Sequence, residues 1–211
     1  MKRNICTQLT IAFLITFMGG FCDGYTLLCR GGMFSYMQTG NLIRFCIALA
    51  NGNFEYGFLI PIVCFCLGCI LSILIKKYKY YTHVTLISLI AAFIGCGFCP
   101  MDHGWNIAVV SILSFVGAMQ FQVFNKCLNI NYTSTMCTNN MRLFSSNIAH
   151  KNFKMALFYF AVILSFAIGV VISVFITKAM NAYAIAPSAS IFLIILIILF
   201  MTKNEVTVIE E

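Results

Sequence analysis

Charge is what this sequence has least of. Of its 211 residues, 9% are Asp, Glu, Lys or Arg, while 61% are hydrophobic. A soluble globular domain carries about a quarter charged residues. This chain therefore lacks the charge to coat a water-facing surface, which excludes a soluble enzyme, a coiled coil and a disordered protein. Lys/Arg-rich runs are also missing. Only Lys76, Lys77 and Lys79 cluster, so no nucleic acid is expected as a partner. The net charge of +7 is instead expected to set topology in a membrane.

Other signatures are lacking too. There is no phosphate loop, no Gly-x-Gly-x-x-Gly, no Ser in a nucleophile elbow and no pair of close carboxylates. An enzyme is not expected, and neither is a cofactor. His83, His103 and His150 are scattered without a companion carboxylate, so no metal is expected. Eleven Cys would suggest disulfides in a small secreted protein, but Cys64, Cys66, Cys69, Cys96 and Cys99 lie inside apolar runs. There they act as small hydrophobes. Met1-Lys2-Arg3 before an apolar run imitates a signal peptide, yet no Ala-x-Ala-like cleavage site follows. The run is expected to be a retained first span.

What is present is apolar length. Six runs can cross a bilayer: Leu9–Leu28, Phe58–Ile75, Tyr81–Cys99, Trp105–Phe124, Met155–Ile176 and Ala182–Met201. Each exceeds the roughly 17 residues a spanning helix needs, and none alternates like a barrel strand. The fold class is therefore an all-α polytopic membrane protein, a single membrane domain over 1–211, with the lipid bilayer as its first partner.

Two further segments, Met33–Ala50 and Tyr132–Ala149, are long enough to span but polar in the middle. Charge decides their fate. If neither crosses and the N-terminus is cytoplasmic, Lys2, Arg3, Lys76, Lys77, Lys79, Lys126, Arg142, Lys151, Lys154 and Lys203 lie inside. Arg30, Arg44 and Lys178 lie outside, a ratio of 10 to 3. If both cross, the positive-inside bias disappears. Six transmembrane helices are expected, with both termini and the tail 203–211 cytoplasmic. The two polar segments become broken or re-entrant elements held inside the bundle, where irregular backbone is tolerated.

A shift of 99 residues superposes the two polar segments. Thr39-Gly40-Asn41 falls on Thr138-Asn139-Asn140, Asp23 on Gln122, and Tyr25 on Phe124. The halves, about 5–99 and 104–203, follow one order: long span, polar segment, span, span. Three spans per half make this a 3+3 inverted repeat.

The stretch from Gly19 to Asn41, with Asp23, Tyr25, Arg30, Gly31-Gly32, Phe34 and Gln38-Thr39-Gly40-Asn41, resembles the opening signature of the YoaK family of bacterial membrane proteins. Met119-Gln120-Phe-Gln122-Val-Phe124-Asn-Lys126, followed by Thr135-Met-Cys137-Thr138-Asn139-Asn140-Met-Arg142, resembles that family's second signature. The resemblance implies an integral membrane protein of the bacterial cytoplasmic (plasma) membrane, of a family without an agreed biochemical function. Asn139 stands where the family usually has Gly; Asn can partly replace Gly in a tight turn because it tolerates left-handed backbone.

Asp23 is the only acidic residue inside a predicted span. Such a group usually faces the bundle interior or a water cavity. It is either a site for a proton, cation or cationic group, or half of an ion pair with Arg44 or Arg30. Gly40 is expected to break a helix, with Thr39 and Asn41 capping the half-helix beyond it. Paired broken helices near the midplane mark binding sites in transporters; packing kinks are the alternative. The candidate binding set is Asp23, Gln38, Thr39, Gly40, Asn41, Arg44, Gln122, Thr138, Asn140 and Arg142. Gln38, Gln120 and Gln122 also suit interhelical hydrogen bonds, and Gly20-xxx-Gly24 and Ala161-xxx-Ser165-xxx-Gly169 suit close helix packing or a homo-oligomer. The expected function is a small secondary transporter or permease for an unknown small molecule or ion. The alternative is a non-transporting scaffold, sensor subunit or lipid- or partner-binding protein.

Overall fold

A computed structural model describes residues 5–202; Lys2, Arg3, Lys203 and the tail 203–211 lie outside the described residues. Helix dominates because long apolar stretches can satisfy their backbone groups within one segment. The helices are α1 (Ile5–Cys29), α2 (Gln38–Ala50), α3 (Tyr56–Ile75), α4 (Tyr81–Gly97), α5 (His103–Val123), α6 (Cys137–Ala149), α7 (Phe153–Met180) and α8 (Ile185–Met201). A two-strand ribbon, β1 (Lys126–Cys127) and β2 (Ile130–Asn131), lies between α5 and α6.

Local chemistry sets several boundaries. Pro100 lies three residues beyond the end of α4, where a helix cannot continue. The Asp102 carboxylate accepts from Trp105 N at 2.9 Å and caps α5. Between α7 and α8, Asn181 adopts φ 51° and a 3-10 turn occupies Asn181–Ala184. Pro187 then falls in the first turn of α8, where its missing N–H is harmless.

Four helical runs are long and apolar enough to cross a membrane: Ile5–Cys29, Tyr56–Ile75, His103–Val123 and Phe153–Met201. The last, of 49 residues, contains α7, the turn and α8, while Tyr81–Gly97 is a shorter apolar helix. The chain is thus a helical protein of membrane character.

Glycines fix how the helices pair. A Cβ on Gly20 would collide with the backbone carbonyl of Phe166, one on Gly24 with Ser173, and one on Gly169 with the carbonyl of Phe17. With the Phe13–Phe158 ring contact, these put α1 and α7 side by side and parallel. The small residues at Gly20, Gly24 and Gly169 therefore serve packing within the chain. Gly57 against Ile107, Gly68 against Phe115 and Phe65 against Phe121 make α3 and α5 parallel. Gly97 against Ala186, Phe93 against Phe192 and His83 against Phe200 make α4 and α8 antiparallel.

These directions gather the α3–α4 loop, the ribbon and the α6–α7 loop at one end of the bundle. The α1 C-terminus, the α2–α3 loop, the α4–α5 loop and the end of α7 lie at the other. Lys76, Lys77, Lys79, Lys126, Lys151 and Lys154 therefore share the first end with no described carboxylate side chain, while Glu55 and Asp102 lie at the second.

The two polar segments have one design. After α1 ends, residues 31–37 fold back into the bundle until the Tyr36 ring fills the space over Gly117 of α5. Gly117 is about 21 Å along α5 at 1.5 Å per residue. From there α2 returns to the end it came from. Residues 132–136 enter from the opposite end and lie against Gly19 of α1, with Ser134 O 2.6 Å from where a Cβ would sit; α6 then returns. Of the broken or re-entrant forms expected, the broken one is not seen: α2 and α6 are each continuous. Gly40 sits in the first turn of α2, because a side chain there would strike the Phe34 ring at 2.6 Å.

Candidate functional site

The two infolded segments meet α1 and α5 in a buried polar seam. Asp23, on α1, is its only carboxylate. Its Oδ1 accepts from Tyr36 N at 2.8 Å, Ser35 N at 3.0 Å and Ser35 Oγ at 3.2 Å. Asp23 thereby ties the first infolded segment to α1. Its Oδ2 is buried and has no hydrogen-bond partner; the Met37 N–H faces the same carboxyl group without completing a bond to Oδ2.

The ion pair with Arg30 or Arg44, one of the two readings of Asp23, is not formed; other contacts hold both arginines. Arg30, 0% exposed, donates to the carbonyls of Cys96 (2.9 Å), Cys99 (3.2 Å) and Pro100 (2.6 Å), to Tyr25 Oη (2.8 Å) and to Asn106 Oδ1 (3.4 Å). It caps the C-terminal end of α4, where unpaired carbonyls favour a cation. Arg44 donates to the Gly32 carbonyl and lies over the Phe34 and Phe58 rings. Neither arginine is among the partners of Asp23, because both are drawn to carbonyls and rings at the α1 C-terminal end.

The seam continues through glutamine. Tyr36 Oη donates to Gln120 Oε1 at 3.1 Å, and Gln120 Nε2 donates to Ile15 O at 3.2 Å. Gln38 Nε2 donates to Ser35 O at 2.6 Å and Ser114 Oγ at 3.1 Å, and Gln38 Oε1 accepts from Asn41 Nδ2 at 3.0 Å.

Asn41 and Asn140 form matching clamps. Asn41 Oδ1 accepts from Phe34 N at 2.9 Å while Nδ2 donates to Phe34 O at 2.6 Å. Asn140 does the same to Thr133, at 3.1 and 2.7 Å. Both side chains are 0% exposed. Each clamp spans seven residues and holds its infolded segment against the helix that follows.

Asp23, Gln38 and Asn41 therefore share one network, with Gly40 giving it room and Asn140 as a counterpart in the second half. The remaining predicted residues stand apart. Thr39 and Thr138 are exposed, and Arg142 is an exposed partner of Asn139 Oδ1 at 3.2 Å. Gln122, the positional counterpart of Asp23, instead faces Cys69 of α3. Ser35, Tyr36, Ser114 and Ser134 were not singled out from sequence, and Thr135 entered only as part of the second signature, not as a site residue. The signal was there: Ser35 and Ser134 share the 99-residue offset. Among the described residues no group of three or more His, Cys, Asp or Glu could hold a metal ion, and all eleven Cys are free.

The profile of a family described as Protein of unknown function (DUF1275) matches residues 11–198. No curated protein matches the chain, and no solved structure does.

Proposed function

The chain belongs to the DUF1275 family, and from that membership and the seam we propose a small secondary transporter or permease built from two inverted halves. One observation carries this: two infolded segments that enter from opposite ends, the first bound by a buried carboxylate on α1 and the second seated on the same helix one turn away. Paired half-helices around a midplane site are the arrangement that alternating-access transporters use.

Several features support the six-span, 3+3 reading. Helices α2 and α6 each have 13 residues, with starts and ends 99 positions apart. The pairing of α1 with α7 corresponds to that of α5 with α3, and α4 pairs with its own counterpart α8. The turn at Asn181 divides the 49-residue run into two lengths that each suit one crossing. Helix direction and the basic end together favour cytoplasmic termini, with the lysine-rich end inside. In a bacterium this would be the plasma membrane.

In this reading Asp23 binds a proton, a cation or a cationic group of the substrate. Gln38, Asn41 and Asn140 shape the seam, and Arg44 and Arg142 tune charge at its approaches. Neither a cofactor nor a catalytic step is needed. A homo-oligomer would have to use surfaces other than the α1–α7 glycines.

One observation favours a second reading, a non-transporting scaffold. Asn41, Asn140, Gln38 and Gln120 are satisfied within the chain, as packing devices would be. Thermal stabilisation of purified wild type and Asp23→Asn across a metabolite and ion library separates the two. A ligand that stabilises only wild type, and then moves across proteoliposomes, supports transport. No response from a folded wild type, with a protein recovered in mild detergent, supports the scaffold.

A further inference from the structure

The seam holds more unpartnered oxygen than its hydrogen bonds account for. Besides Asp23 Oδ2, the hydroxyls of Ser134 and Thr135 are buried without a partner, and both residues are 0% exposed. Buried polar groups in proteins nearly always have partners. Ser72, Ser111 and Thr177 also lack one, but they sit on helices with a carbonyl one turn back. Ser134 and Thr135 lie in a non-helical bend, where no such carbonyl is at hand.

Position brings the three oxygens to one stretch of α1. Gly19 and Asp23 are four residues apart and share a helix face. The Ser134 carbonyl and the Thr135 Cα abut Gly19, at 2.6 and 3.4 Å from its would-be Cβ. The backbone of Ser134 and Thr135 therefore lies about one helical turn along α1 from Asp23. The first half supplies the carboxylate and the second half the hydroxyls.

We propose that Asp23 Oδ2, Ser134 Oγ and Thr135 Oγ1 form a site for a sodium ion between the two infolded segments. The proposal rests on the transporter reading and names its coupling ion. Oxygen donors suit a hard cation. One carboxylate among neutral hydroxyls balances one positive charge, whereas a divalent ion would leave net charge buried in a low-dielectric interior. The other carboxylate oxygen is already held by the Ser35 and Tyr36 amides, so the ligand is fixed before the ion arrives.

The test is the melting temperature of the purified full-length protein in NaCl, KCl and choline chloride at equal ionic strength and fixed pH. Sodium should raise it in a saturable way, with potassium weaker and choline without effect. The shift should vanish in Asp23→Asn and fall by at least half in Thr135→Val and Ser134→Ala. These hydroxyl variants keep the carboxylate and its amide bonds, so they decide the matter if Asp23→Asn does not fold. The exposed Thr138→Val should respond like wild type. Equal melting in all three salts overturns the proposal. So does a response to pH alone, or a sodium shift that survives in the Ser134 and Thr135 variants. Flux in proteoliposomes is read separately: sodium binding without any flux removes the transporter reading and leaves the site, while flux indifferent to sodium does the reverse.

Discussion

Helices α2 and α6 are the same device facing two surroundings. Both have 13 residues, both carry an Asn clamp in the first turn, and both are followed by a residue of positive φ, Gly52 or Lys151. Their outer faces differ. Helix α2 exposes Leu42, Ile43, Cys46, Ile47 and Leu49 with Thr39 as the one polar residue, whereas α6 exposes Thr138, Asn139, Arg142, Ser145 and Ser146 interspersed with Met141 and Ile148. What the halves keep in common is the Asn clamp that holds each infolded segment against the helix that follows. What they have let diverge is what touches the outside, and the choice between Asp23 and Gln122. The shared parts therefore make the fold, and the divergent parts give each half its environment and the seam its charge.

The largest test of this comparison is at the glycines that let helices approach. Gly68→Val and Gly169→Val each drive a side chain into a facing backbone carbonyl. Each should lower stability by about 3 kcal/mol, since overpacking against backbone has no cheap relief. Equal loss of folded protein, followed by size-exclusion and melting, would sharpen the correspondence; a harmless change at one site would break it.

Next come the clamps. Asn41→Ala and Asn140→Ala each leave a part-buried N–H and C=O unpaired, a loss of about 2 kcal/mol, from the low end of the roughly 1–3 kcal/mol per orphaned group because water reaches part of the site. The two losses should match, because each Asn makes one further bond, Asn41 to Gln38 Oε1 and Asn140 to Met136 O. Melting of the two variants side by side checks the match.

A smaller effect separates the outer faces. In a bilayer, Ile47→Lys should cost up to about 3 kcal/mol if α2 faces lipid, and Ser146→Leu on α6 should stay within about 0.5 kcal/mol. Membrane-inserted yield and melting in lipid nanodiscs report both. The smallest perturbation is a label. Cys46 should resist a membrane-impermeant maleimide, while Ser146→Cys should react from the side that carries the lysine-rich end.

Much of this was legible in sequence. Polar residues inside long apolar stretches marked both infolded segments, and their last helical residues, Ala50 and Ala149, coincide with the expected ends. The 99-residue shift needed only Thr39–Asn41 against Thr138–Asn140. Partners were not legible. Asp23 suggested an arginine because side-chain charge is what a sequence displays, whereas the N–H groups of Ser35 and Tyr36 exist at every position and announce nothing. Arg30 looked like a loop cation for the same reason: the carbonyls of Cys96, Cys99 and Pro100 are backbone groups. Gly40 suggested a break, but its missing side chain makes room for Phe34, a neighbour six positions away that no helical period marks.

The seating of each infolded segment in the other half carries a consequence for how the chain can be divided. Tyr36 is housed by Gly117 and Gln120 of the second half, and Ser134 by Gly19 of the first. Each half lends an arm to the other. A chain cut in the α4–α5 connection should yield fragments that are unstable when made singly, each with an arm and no socket. Made together, they should reassemble into one protein without a covalent link.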